Sequence, residues 1–154
     1  MSSSTLTQRH LNRALLARQG LLEPFADPLP RVLERVAGIQ AQYAPSMYVG
    51  LWSRMRAFER DQLTGALGDR SVVQATLLRG TIHLVSRDDF WPFSTAVGDS
   101  VRDLFERSRR DGPAPEEVAK LAELLRAALA GGPLRQKEID GLVGREVRGW
   151  VMSH

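Results

Sequence analysis

"SVVQATLLRGTIHLVSR", residues 71–87, is the stretch on which the fold turns. On either side of it, apolar residues recur every three or four positions, the spacing of one helix face. Within it, β-branched residues crowd together around a central glycine. The pattern admits two short strands around Arg79-Gly80, or one strand following a short helix. On a strand, Thr81, His83 and Val85 share one face, and Ile82 and Leu84 share the other.

Upstream, four helical candidates lead into this stretch. Residues 5–21 carry Leu6, Leu11 and Leu15 at near-helical spacing, continued by Leu22 just beyond, with Thr5 or Thr7 as cap and Gly20 as stop. After the Pro-rich connector "LEPFADPLP", "RVLERVAGIQAQ" resumes the period with Val32, Val36 and Ile39 on one face. Pro45 biases Ala44 away from helical geometry, so this helix is expected to end before it. "SMYVGLWSRMRAF" places Tyr48, Leu51, Trp52 and Met55 on one side, and "RDQLTGALGDR" is a short helix stopping near Gly68. Downstream, a helix capped by Asp88 or Asp89 is expected, then a clear one over "APEEVAKLAELLRAALAGG" ended by Gly131-Gly132. A shorter helix follows the turn, with Leu134, Ile139 and Leu142 inward, so the last pair reads as a helix-turn-helix. Trp150 and Val151 open a further apolar stretch. The fold class expected is mainly α with a short β-hairpin, a winged helix-turn-helix.

Bulk properties narrow the function. A chain of 154 residues with 43% hydrophobic and 25% charged residues has the make-up of a soluble globular protein. It has no cysteine, which removes disulfides and thiolate metal sites and makes a cytoplasmic location the default expectation. No stretch approaches a membrane span, and the N-terminus lacks an apolar signal segment. Net charge is +3, concentrated early: residues 1–60 hold eight Arg against four Asp and Glu. That excess fits a phosphate-tracking surface; because all but Lys120 and Lys137 of the cations are Arg, it also fits a compositional bias.

Few residues carry obvious chemistry. His10, His83 and His154 lie far apart with no H-x-x-x-H spacing, so no metal site is expected. There is no phosphate-binding glycine loop and no nucleophile elbow, and no cofactor is implied. His83 among apolar neighbours reads as a structural histidine or as part of a site. Arg79, at the hairpin turn, reaches either a phosphate or a helix end. The two amides of "GIQAQYAPSMYVGLW", Gln40 and Gln42, stand beside an apolar stripe. Amides there either satisfy helix-end carbonyls or hold a ligand. On a continuing helix they point to opposite sides, so a shared ligand requires the helix to unwind or tighten between them.

"RQGLLEP", "GIQAQYAPSMYVGLWSRM" and "LLRGTIHLVSRDDF" together resemble the N-terminal region of the AlkZ-type winged-helix DNA glycosylases, over about residues 5–105 and again near 115–144. The resemblance implies tandem winged helices around a DNA channel, with a first domain over residues 1–112 and the start of an incomplete second over 113–154. It implies removal of N7-alkylated purines, crosslinked guanine included, from double-stranded DNA. The family's Gln-aliphatic-Gln motif corresponds to Gln40-Ala41-Gln42, the implied catalytic pair that positions water; relatives place Asp at the second position. Thr81 and His83 are implied only as site-adjacent. Arg54, Arg56 and Arg79 are the candidate DNA contacts. No membrane or protein partner is implied. A non-enzymatic winged-helix regulator, with "LRQKEIDGL" holding its recognition helix, and an inactive fragment are the alternatives.

Overall fold

Capping sets where the first helix begins. In the computed structural model, which describes residues 5–108 and 112–153, the Thr7 hydroxyl accepts the His10 amide and the His10 ring reaches back to Thr7. From there run α1 (Gln8–Arg18), α2 (Leu29–Val36), β1 (Ile39–Gln40), α3 (Ala44–Trp52) and α4 (Arg60–Gly68). Then come β2 (Val72–Thr76), a single 3-10 turn (Leu78–Gly80), β3 (Ile82–Ser86) and α5 (Arg87–Ser108), followed by α6 (Pro115–Leu129), α7 (Gln136–Val143) and α8 (Arg148–Ser153). His154 lies outside the described residues. The chain is mainly helical with a small antiparallel sheet, as expected. No helix among the described residues is long and apolar enough to cross a membrane.

The sheet is ordered β1-β3-β2, both pairings antiparallel. The hairpin is therefore the two-strand reading of residues 71–87, and β1 adds a third strand that periodicity did not reveal. One face of the sheet packs on helices: Val32, Leu33 and Val36 of α2, Met47 and Leu51 of α3 and Leu63 and Ala66 of α4 enclose Ile39, Val72 and Leu84. Leu33, Leu51, Leu63 and Leu84 are fully buried. Close packing divides the chain between Ala96 and Val97, inside α5. The second unit has its own core, in which Ala122 and Leu125 of α6 meet Val143 and Val151, with Leu134 and Ile139 against them.

Several expectations shift. α2 ends at Val36, three residues short of Ile39, and Ala44 opens α3 rather than resisting it, with Pro45 inside its first turn. Pro is tolerated there because the first amides of a helix lack intrahelical partners. Trp52 does not join the buried side of α3; it is 69% exposed. No residue of α1 is buried, so its leucine stripe is solvent-facing. Asp88 and Asp89 lie within the first turn of α5, and the cap role falls to Ser86, whose Oγ accepts the Asp89 amide at 3.1 Å. In α7, Val143 takes the inward position expected of Leu142.

Candidate active site on the edge of the sheet

The end of α2 decides where the two glutamines point. Ala37 adopts the left-handed conformation, and Gly38 follows at φ +86°. Their amides return to the Glu34 and Leu33 carbonyls at 3.3 and 2.9 Å, closing the helix. Gly38 also lies hard against the sheet: a Cβ there would sit 2.9 Å from the Leu84 carbonyl oxygen. The chain leaves this reversal extended, and its period becomes two. Ile39 and Ala41 turn into the core at 9% and 2% exposure, while Gln40 and Gln42 are exposed. The helical reading is corrected: Gln40 lies on strand β1, and Gln42 follows in a bend just beyond it.

Pairing with β3 then fixes their neighbours. Ile39 faces Leu84, and Gln40 faces His83. Beyond the strand proper, the Ala41 amide donates to the Ile82 carbonyl at 2.7 Å. The Ile82 amide donates to Gln42 Oε1 at 3.0 Å. A side-chain amide thus occupies the acceptor position that a main-chain carbonyl holds in a regular ladder. Because Ile82 turns its main-chain groups toward β1, Gln40 and His83 form the non-hydrogen-bonded type of pair. Such partners have Cα atoms about 4.5 Å apart and side chains on one face.

His83 is 8% exposed. Its Nδ1 lies 2.9 Å from the Thr81 carbonyl oxygen, which also receives the Leu77 amide at 3.0 Å. A carbonyl only accepts, so this contact calls for a proton on Nδ1, and the tautomer that makes it has its lone pair on Nε2. Among the described residues Nε2 has no partner, and the one sealed, unpartnered side-chain nitrogen is Arg54 Nε. The Thr81 hydroxyl donates to the Leu78 carbonyl at 3.2 Å, which holds the turn rather than the site face. Among the described residues no cluster of metal-ligating side chains forms.

Of the arginines, Arg79 is exposed at the hairpin tip in a left-handed conformation, φ +55°, between buried Leu77 and the strand. Arg54 folds back on α3, donating to the Gly50 carbonyl at 2.9 Å, and burial pulls its pKa below the ordinary arginine value. Arg56 Nε donates to the Pro24 carbonyl at 3.1 Å. The sheet edge thus gathers Gln40, Gln42, Thr81 and His83, with Arg79 two residues from Thr81. Arg54 and Arg56 belong to the turn after α3. Sequence reading missed the Ile82 amide and Gly38; the Ala-Gly pair after an apolar helical run is the stop signal that points to the latter.

Residues 33–154 match the family described as DNA glycosylase AlkZ-like. An interstrand DNA cross-link repair glycosylase of Streptomyces sahachiroi is 27% identical over 120 residues, covering 77% of this chain and 32% of that protein. The solved structure of Streptomyces sahachiroi DNA glycosylase AlkZ superposes with a TM-score of 0.76 at 22% identity, over 97% of this chain and 44% of that one. The chain spans about a third of the curated relative's length.

Proposed function

This chain belongs to the DNA glycosylase AlkZ-like family, and on that premise we propose that its sheet edge hydrolyses the N-glycosidic bond of N7-alkylated guanine in double-stranded DNA. What supports the reading is that Gln40, on β1, and Gln42, just past it, are both exposed around the buried Ala41, with Gln42 tied to β3 through the Ile82 amide. Alkylation at N7 makes the purine cationic, so the leaving group departs without an acid. The site needs to hold a water near C1′ and to tolerate positive charge growing on the sugar. Amides supply the first by positioning, an entropic contribution, and the second through their carbonyl dipoles. An unmodified purine departs as a poor anion, so selection of the lesion follows from its own charge.

Arg79 at the hairpin tip, with Arg54 and Arg56 after α3, are the proposed phosphate contacts. Crosslinked guanine falls in the same substrate class, in keeping with the name of the Streptomyces relative. The test is incubation with duplex carrying N7-methylguanine, followed by chromatography of free base. Replacing both Gln40 and Gln42 by Ala abolishes release and leaves duplex binding nearly unchanged. Equal release by the double variant refutes the catalytic assignment. Tight binding to undamaged duplex of one sequence, with no preference for the lesion, favours a regulator instead.

A further inference from the structure

We infer that His83 is the proton acceptor of this hydrolysis, through Nε2. The inference rests on the glycosylase reading above and fills a gap in it. Two carboxamides orient a water, but neither is basic enough to take its proton. In the step, a water oxygen bonds to C1′ and the C1′–N9 bond breaks. The bonding pair stays on N9 and cancels the positive charge of the alkylated base. One O–H bond of the water also breaks, and its proton needs a destination.

The geometry supplies one. His83 lies directly across from Gln40 on the same face of the sheet. Its Nδ1–H is committed to Thr81, which orients the ring and leaves Nε2 as the acceptor, with no hydrogen-bond partner among the described residues. A histidine serving only the core is expected to hide or pair both nitrogens. Gln42 completes the arrangement. Its oxygen is engaged by the Ile82 amide, so its NH2 group is the end left to face a ligand. A water at this edge receives one hydrogen bond from the Gln42 NH2 and gives one hydrogen each to the Gln40 oxygen and His83 Nε2. Its remaining lone pair is then free for C1′. When Nε2 takes the proton, Nδ1–H keeps its bond to Thr81, so the ring charges without moving. This is the base-plus-orienting-group arrangement of other activated nucleophiles, here with a main-chain carbonyl as the orienting group.

The decisive experiment is single-turnover release of 7-methylguanine from duplex by the full chain. His83→Asn retains a donor for the Thr81 carbonyl and removes Nε2. Its rate is expected to fall by about 10²–10⁴-fold, with duplex affinity little changed. Added imidazole restores part of the rate to His83→Ala. A His83→Asn rate within a few-fold of the unaltered chain overturns the inference while leaving the glycosylase reading standing. No release by the unaltered chain overturns that reading instead. A ¹⁵N spectrum of the unaltered protein guards against variants that fail to fold: it is expected to show His83 as the Nδ1–H tautomer, and an Nε2–H tautomer overturns the inference.

Discussion

Gln42 has two jobs on the proposed reading: its oxygen closes the end of the sheet by accepting the Ile82 amide, and its nitrogen serves the ligand. The two jobs separate by substitution. Gln42→Ala leaves the Ile82 amide without its acceptor and is expected to cost about 1 kcal/mol in urea unfolding. Gln42→Glu keeps an acceptor of the same reach and is expected to recover most of that stability, yet loses the donor and so releases base poorly. Gly38 is as constrained. Gly38→Ala forces a side chain into φ +86° and against the Leu84 carbonyl, at an expected cost of about 1–3 kcal/mol or more. Gln40 and Gln42 stood out in the sequence as candidates; their surroundings did not. Ala37 is a good helix former, and nothing in its side chain announces the left-handed turn. The Gln42–Ile82 bond joins residues forty apart, beyond the reach of any local pattern.

Among the elements, the hairpin was the most legible, because β-branched crowding and a mid-stretch glycine contrast with helical spacing on both sides. The two-residue β1 was illegible, since so short a strand has no period of its own and exists only through β3. Trp52 and Val143 show the same limit: a helical wheel gives a stripe, and the neighbour decides which edge of it is covered. Leu84, fully buried on the central strand, ties hairpin to helices, and Leu84→Ala is expected to cost about 2–5 kcal/mol by denaturant titration. The first turn of α5 carries a pH dependence. Burial foremost, then Glu34 and Asp88, raise the Asp89 pKa above its ordinary value. The folded chain therefore holds this proton more tightly than the unfolded one. Asp89 costs nothing at pH below the unfolded carboxyl range, and its penalty grows as pH rises through the raised folded value. Asp89→Asn is expected to stabilise the protein above that window and to be neutral below it, by urea titration at several pH values.

At the scale of the molecule, the winged-helix layout was legible from the order of elements alone, and the basic N-terminal third from composition. Charge of this kind acts through counterion release, so duplex affinity is expected to fall linearly with log salt, at about 0.9 per phosphate contacted. Arg79→Ala is expected to reduce that slope by about 1 while weakening all sequences alike. The partition into units was less legible, because α5 is one continuous helix of 22 residues across the division. The same edge that gathers the site also offers a way to watch it. The Ile82 amide proton belongs to the backbone yet is bonded to Gln42, so its resonance is a spectator of that side chain at every moment. Any molecule that turns the carboxamide shifts one peak assigned from the unaltered protein. Occupancy becomes readable without a label, a substitution or turnover.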